Sequence, residues 1–137
     1  KKGDYQMKYV VNIQSMAPDL DPRSLRERVK NRDKVVLRDT HYLINPEDKD
    51  CKSRRLTLGH TIIYPTGTTT GHTHDDMEEV YYVVMGEGTM VVDKDEYEIT
   101  QGDALYVPPG VFHTTKQSGN LPLIVVWVTC KIDPDER

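Results

Sequence analysis

The sequence predicts an all-β domain, with one short helix in an N-terminal extension. Short runs rich in valine, tyrosine and threonine follow one another from Val35 to Cys130, and turn residues separate them. Many short strands at this spacing are typical of a β-sandwich or a β-barrel. The chain has 137 residues, a length at which one domain buries a sizeable core. We therefore expect residues 1–34 to form the extension and residues 35–137 to form the β-domain.

The N-terminal extension contains the one predicted helix. Residues 1–6 are left outside the assignment because Met7 is a candidate native start. Residues 9–13 are predicted to form a short strand. Asp21-Pro22 then combines an N-cap residue with a proline at the first helical position, which predicts a helix that continues to Arg32. Only Leu25 and Val29 form an apolar pair on it, so we expect the helix to be largely solvated.

The β-domain is predicted to contain a series of short strands. They are expected at residues 35–37, 41–44, 56–64, 79–85, 89–92, 97–99, 104–107, 111–115 and 121–130. Segments such as 86–88, 93–96 and 108–110 carry the glycine, proline and aspartate residues that end them. The regular alternation of runs and turns is the main support for the fold class.

The composition excludes several classes of function. The formal net charge is −4 and the pI is about 5.7, which argues against sequence-independent binding to nucleic-acid phosphates. We find neither an apolar run of about 20 residues nor a signal-type start, so no membrane partner is expected. Cys51 and Cys130 are too few for a disulfide scaffold. They indicate free thiols of a cytoplasmic protein, although one bridge is compatible with the sequence.

Three histidines and one glutamate carry the chemistry that the sequence indicates. His72 and His74 lie two residues apart, so both point to the same face where the chain is extended. Glu79 follows them, and His113 comes just after the turn at 108–110. Imidazole nitrogens and a carboxylate on inward faces form a mixed nitrogen and oxygen site for a divalent metal. Four ligands leave one or two positions of a five- or six-coordinate ion open, which is typical of catalytic sites.

The order and spacing of these residues resemble the two motifs of the cupin superfamily over residues 55–130. The matching residues are His72, His74, Glu79 and Gly86 in the first motif and Gly102, Pro108, Gly110 and His113 in the second. Two positions differ, because Thr66 replaces the usual glycine before the first histidine and Gln117 replaces an asparagine often found after the last one. The resemblance implies a cupin double-stranded β-helix, a jelly-roll-like barrel with its site inside. It also implies one divalent transition metal (Fe, Mn, Ni, Zn or Co) as the cofactor.

Strand alternation selects Glu79 over its neighbour Glu78 as the carboxylate ligand. An inward Glu79 places Tyr81, Val83 and Met85 on the same face and sends Glu78 to the other face. Tyr81 is then either a core residue or a hydroxyl that bonds a substrate oxygen, and alternation does not decide between these roles.

A narrower resemblance links the chain to cupin-type phosphoglucose isomerases. It rests on the run 61–65, on Gly67 and Thr69, on Gly71-His72-Thr73-His74 and on Glu79-Val80-Tyr81. The resemblance implies that Thr69, Gly71 and Tyr81 bind a sugar phosphate and that Glu79 and Tyr81 act in aldose–ketose isomerisation. Three features depart from that family. Thr70 replaces a lysine that tends to precede its Gly-His pair, and Gly110 and Val111 replace the two aromatic residues that follow its Pro-Pro pair. Its C-terminal His-x-Tyr region has no match here.

Other functions use the same ligand set and stay open at this point. They are iron-dependent dioxygenases, lyases or decarboxylases that act on small organic acids, and non-catalytic cupins that bind a small molecule. A buried histidine and glutamate cluster without an ion would leave polar groups unsatisfied, at about 1–3 kcal/mol each, which disfavours an idle site. Tyr81 and the threonines favour a sugar-like small-molecule substrate. Because the edges of an open barrel need covering, a homodimer is expected.

Overall fold

The computed structural model describes residues 9–18 and 38–136 and has eight strands within them. The strands are β1 (Arg38–Ile44), β2 (Leu56–Ile63), β3 (Met77–Met85), β4 (Glu87–Val92), β5 (Asp95–Thr100), β6 (Ala104–Val107), β7 (His113–Ser118) and β8 (Leu123–Lys131). Two short 3-10 turns, Ile13–Ser15 and Pro134–Glu136, are the helical elements of the described residues. No helix in this part of the chain is long and apolar enough to cross a membrane.

The strands form two antiparallel sheets. The five-stranded sheet has the order β1-β2-β8-β3-β6 and the three-stranded sheet has the order β5-β4-β7. The core side chains are Ile63, Val83, Met90, Ile99, Val107, Leu123 and Val125. They come from both sheets, and burying each one contributes about 1.5–3 kcal/mol relative to leaving it exposed. The predicted all-β fold class is therefore confirmed, as a sandwich of two sheets that are not joined into one closed ladder within the described residues.

The predicted strand boundaries differ from the observed ones at several elements. Residues 9–13 do not form a strand: the segment ends in the 3-10 turn Ile13–Ser15, where the Asn12 side chain accepts a hydrogen bond from the backbone N–H of Gln14 at 2.8 Å. β7 begins at His113 rather than at residue 111 and ends at Ser118 rather than at residue 115. The predicted helix from Asp21 to Arg32 and the strand at 35–37 lie outside the described residues.

β3 alternates as predicted over most of its length and then changes phase. Glu79 and Val83 are buried, whereas Val80 and Tyr82 are exposed. The register against β8 shifts between Val83 and Met85, and Met85 is 40% exposed. The prediction that Met85 faces inward is therefore wrong, because an irregularity in a β-ladder reverses the faces that follow it.

Thr66 and Gln117, the two residues that differ from the cupin motifs, contact each other. Thr66 has a backbone φ of 70°, a conformation that favours glycine and is strained for a β-branched residue. The Gln117 side chain accepts a hydrogen bond from the Thr66 N–H at 2.9 Å. The same side chain donates to the carbonyl oxygens of Gly119 at 2.9 Å and Leu121 at 2.8 Å. Gln117 thus ties a strained turn to the end of β7.

Replacing Thr66 by glycine should raise the free energy of unfolding by about 1 kcal/mol, because it removes the strain at positive φ. Urea unfolding followed by the fluorescence of the single tryptophan, Trp127, measures this change. The matched control is Thr100→Gly in the exposed part of β5, which should lower the stability instead. Equal destabilisation by both changes would contradict the strain at Thr66.

Candidate metal centre

Backbone hydrogen bonds between the segment after β2 and β7 bring two parts of the predicted site together. His72 and His113 form an isolated antiparallel bridge: the N–H of His72 donates to the carbonyl of His113 at 3.1 Å, and the N–H of His113 donates to the carbonyl of His72 at 3.0 Å. The N–H of Gly110 donates to the carbonyl of His74 at 2.6 Å. Gly110 has a φ of 78°, so glycine suits this turn. The histidines of both motifs are thereby held side by side.

Glu79 reaches the same place from β3. Its position in the ladder is opposite Val107 of β6 and Thr129 of β8, and only 4% of the residue is exposed. Glu78 points away and accepts a hydrogen bond from the hydroxyl of Tyr106 at 2.9 Å, in an exposed setting. The alternation inferred from the sequence thus separates the buried carboxylate from the solvated one.

The four predicted metal ligands form one compact cluster. One ligand atom from each of His72, His74, Glu79 and His113 lies within 4.8 Å of all the others. The ring centroids of His72 and His113 are 4.3 Å apart, and those of His72 and His74 are 4.7 Å apart. Ligands that share an ion with bonds of about 2.1 Å are separated by up to roughly 4 Å, so the cluster has nearly the size of a metal site.

The polar atoms of the cluster fit a metal ion chemically. Glu79 Oε1 and His113 Nε2 lie 2.9 Å apart, and both atoms are buried without a hydrogen-bond partner. His72 Nδ1 lies 3.3 Å from the carbonyl of Thr70 and His113 Nδ1 lies 3.2 Å from the carbonyl of Val111. When Nδ1 carries the proton in each ring, it donates to that carbonyl and leaves Nε2 as the ligand atom.

The surroundings of His72 and of His113 shift the pKa values of the two rings in opposite directions. Desolvation of the ring and the nearby His113 lower the pKa of His72, which favours the neutral form that a metal needs. Burial acts against a charged His113 as well, but the adjacent Glu79 carboxylate outweighs it and raises the pKa of His113. Burial and then Glu79 raise the pKa of Tyr81 well above its usual range, so its phenol stays protonated.

The cluster borders a cavity of about 780 Å³ on the inner face of the five-stranded sheet. Its lining includes the hydroxyl residues Thr40, Thr57, Thr61, Thr69, Thr70, Thr115 and Thr129, the aromatic residues Tyr42, Tyr81 and Trp127, and the cations Arg38 and Lys131. Most of the wall away from the cluster therefore combines hydroxyl groups with aromatic rings. A cavity of this size and character suits a small polar molecule.

Thr69, Gly71 and Tyr81, the predicted substrate-binding residues, all line this cavity. Two of them also have structural roles. The hydroxyl of Thr69 accepts a hydrogen bond from the N–H of Thr115 at 2.9 Å. A Cβ atom at Gly71 would lie 2.0 Å from the ring of Phe112, so a side chain at this position would displace that ring. Tyr81 is the member beside the cluster: its ring centroid lies 6.0 Å from that of His113, and burial and then Glu79 raise the pKa of its hydroxyl.

Sequence reasoning missed Arg38 and Trp127 as lining residues. Arg38, Thr40 and Tyr42 alternate along the inner face of β1, and this period of two was available in the sequence. It was overlooked because β1 had been predicted to begin at residue 41. Trp127 lies across Gly59, where an added Cβ would be 2.0 Å from the indole, and no local pattern reveals that contact.

Comparisons with known proteins agree with this geometry. Residues 59–129 match the family described as Cupin domain. The glucose-6-phosphate isomerase of Pyrococcus abyssi is 34% identical over 122 residues, which cover 80% of this chain and 62% of that protein. The chain spans about six-tenths of the length of the first curated relatives it matches.

Solved structures share the fold at lower sequence identity. An RmlC-like cupin from Shewanella frigidimarina superposes with a TM-score of 0.67 at 18% identity, covering 98% of this chain and 100% of that one. A predicted oxalate decarboxylase from Thermotoga maritima superposes with a TM-score of 0.61 at 23% identity, covering 69% of this chain and 81% of that one. At these identities the likeness concerns the fold alone.

Replacing Glu79 by glutamine should weaken the binding of divalent transition metals by more than about tenfold, because the ion loses its one anionic ligand. The fold should persist, since the two side chains have nearly the same volume. Metal titration and elemental analysis of protein purified without chelators measure the effect. Glu78→Gln is the matched control and should bind metal normally. The opposite pattern, with metal lost in the Glu78 variant alone, would mean that Glu79 is not a ligand.

Proposed function

The chain belongs to the cupin family, and from this premise we propose that it is a metal-dependent isomerase that interconverts the aldose and ketose forms of a phosphorylated sugar. The proposal rests on one observation: the cluster of three histidines and one glutamate borders a cavity that is lined with hydroxyl groups. The similarity to archaeal glucose-6-phosphate isomerases supports the reaction type. The reaction and the substrate are both proposals, because the chain spans only part of those relatives.

His72, His74, Glu79 and His113 are the residues that would hold the metal. An iron, manganese, nickel, zinc or cobalt ion at this position would supply a Lewis acid that polarises the carbonyl group of the substrate. Thr69 and Gly71, at the rim between the cluster and the cavity, are proposed to contact the sugar phosphate. The remaining threonines supply hydroxyl groups that suit a polyol chain.

Glu79 and Tyr81 are proposed to carry out the proton transfer between neighbouring carbons of the substrate. The Glu79 carboxylate takes a proton from the carbon next to the carbonyl group and returns it to the neighbouring carbon. The proton of the neighbouring hydroxyl group passes to the former carbonyl oxygen. The product is therefore the isomer, and no atom is gained or lost. Tyr81 stays protonated at neutral pH because burial and Glu79 raise its pKa. It can therefore donate a hydrogen bond to Glu79 or to a substrate oxygen throughout the reaction.

A lyase or decarboxylase of a small organic acid is the second candidate. The observation that favours it is the pair of cations in the cavity wall, Arg38 and Lys131, since cations bind carboxylates. An iron-dependent dioxygenase and a non-catalytic binding cupin use the same ligand set and are separated from the isomerase by the assay below.

The oligomeric state and the cellular location of the protein remain predictions. We propose a homodimer, and its support is the outer face of the five-stranded sheet, where Val80, Tyr82 and Tyr106 are exposed. Single apolar residues on a surface are ordinary, but adjacent ones often mark an interface. A cytoplasmic location is proposed because both cysteines are free thiols.

Turnover should require metal and should not require oxygen. The assay follows interconversion of sugar phosphates by the metal-loaded chain, in air and under anaerobic conditions, with a chelated sample as the blank. Equal initial rates with and without oxygen are expected. Consumption of oxygen in step with product would replace the isomerase by a dioxygenase, and release of carbon dioxide from an organic acid would replace it by a decarboxylase.

Removing the hydroxyl of Tyr81 (Tyr81→Phe) should cost about 1–3 kcal/mol of transition-state stabilisation, because a polar partner beside the reacting atoms is left unpaired. The measured quantity is kcat/KM of the metal-loaded enzyme. Tyr82→Phe is the matched control, since Tyr82 is the next residue and is exposed on the opposite face. If both variants kept full activity, Tyr81 would be a core residue without a part in the reaction.

A further inference from the structure

We propose that the hydroxyl groups of Thr57 and Thr129 together bind one hydroxyl group of a sugar chain beside the metal-binding cluster. The inference rests on the proposed function to the extent that the ligand held at the cluster is a polyol. It deepens that function by assigning two specificity-determining residues, and it separates them from the other threonines of the cavity wall.

The threonines of the cavity wall differ in whether their hydroxyl groups already have a partner in the protein. The hydroxyls with such a partner belong to Thr40, Thr61, Thr69 and Thr115. Those of Thr57, Thr70 and Thr129 make no hydrogen bond to the part of the chain that the structure describes. Thr70 is exposed, whereas Thr57 and Thr129 lie on the adjacent strands β2 and β8. These two hydroxyls are therefore available to a ligand inside the cavity.

Thr129 is buried, which makes its hydroxyl the more informative of the two. Only 5% of the residue is exposed, and it lines the cavity. A buried hydroxyl costs free energy unless it is hydrogen-bonded, so such groups nearly always have a partner. Glu47 lines the same cavity, but among the described residues it makes no side-chain hydrogen bond to Thr129. A hydroxyl group of a ligand would supply the partner, since a hydroxyl both donates and accepts.

The strand register places the two hydroxyls next to each other and next to the cluster. Thr57 pairs with Thr129, and Thr129 pairs with Glu79. Neighbouring strands are about 4.8 Å apart, so Thr129 lies one strand spacing from Glu79 and Thr57 lies two. Paired residues have Cβ atoms about 4.5–5.5 Å apart, and an oxygen that makes two hydrogen bonds of about 2.8 Å bridges up to about 5.6 Å. One ligand hydroxyl can therefore bond both threonines while the ligand stays in contact with the cluster.

A fixed aromatic ring lies beside the two hydroxyls. Trp127 is two residues from Thr129 on the same face of β8, and it lines the cavity. Its indole lies over Gly59, where an added Cβ would be 2.0 Å from the ring. The indole N–H donates to the hydroxyl of Thr61 at 3.0 Å, and the ring makes an edge contact with Tyr42 at a centroid distance of 5.5 Å. A sugar chain has C–H groups that pack against such a ring and hydroxyl groups that bond to the threonines, which favours a polyol over a small organic acid.

Calorimetric binding to the full zinc-loaded chain tests the proposal with three open-chain polyols. Glucitol 6-phosphate is the parent, and its 3-deoxy and 4-deoxy forms each lack one hydroxyl group beyond the two reacting carbons. The native protein should bind the parent about two- to tenfold more tightly than one of the deoxy forms, the usual contribution of a neutral hydrogen bond. This ratio should fall in Thr57→Val and in Thr129→Val and should be about one in the double variant, which has no partner for the missing hydroxyl. Thr100→Val, which alters an exposed threonine outside the cavity, should leave the ratio unchanged.

Other outcomes would overturn the role of the two threonines. Native protein that binds none of the three polyols, or binds all three equally, would refute the subsite, and so would a ratio that the double variant retains. A loss shared equally by all three polyols would mean that the threonines only support the structure. If the double variant does not fold, the single variants decide, with Thr129→Ser as the variant that keeps a hydroxyl and should retain the native ratio. An unchanged ratio in both valine variants would again refute the proposal.

The result is separable from the proposed isomerase. A preference for one hydroxyl group that depends on Thr57 and Thr129, in a protein without isomerase turnover, would refute the reaction and support the subsite. Isomerase turnover in a protein that binds the parent and both deoxy polyols equally would support the reaction and refute the subsite.

Discussion

The site depends on one constraint, the reciprocal pair of backbone hydrogen bonds that joins His72 to His113. The two residues belong to distant parts of the sequence, and without this bridge their side chains would have no fixed relation to Glu79 on β3. Neighbouring features support the bridge. The hydroxyl of Thr69 accepts from the N–H of Thr115, and Gly71 leaves room for the ring of Phe112. A mixed ligand set is thereby built from two loop histidines and two rigid strand residues.

Periodicity and turn residues were enough to predict the fold class. The membership of the cluster came from the order and spacing of its residues, which resemble the cupin motifs. Alternation placed Glu79 inward and Glu78 outward because β3 is regular there. The same reasoning failed at Met85, since a shift in the ladder is set by pairing with β8 and not by the sequence of β3. Arg38 was missed because the predicted strand begins at residue 41, and only tertiary packing reveals that this arginine is buried.

The departures from the family motifs have physical consequences of two kinds. Thr66 and Gln117 compensate each other locally, because the glutamine side chain bonds the strained N–H and the carbonyls beyond β7. The change at Thr70 is different, since it alters what the cavity can bind. The cavity wall is rich in hydroxyl groups, which suits a small polar ligand.

The most direct test of the account is a crystal structure of the metal-loaded chain with anomalous diffraction at the absorption edge of the metal. One anomalous peak is predicted about 2.0–2.2 Å from a nitrogen of His72, His74 and His113 and from an oxygen of Glu79. The cross-strand pair His41 and His60, whose ring centroids lie 6.4 Å apart, serves as an internal comparison and should carry no peak. A peak at that pair with none at the cluster, or an ion bound without Glu79, would contradict the account.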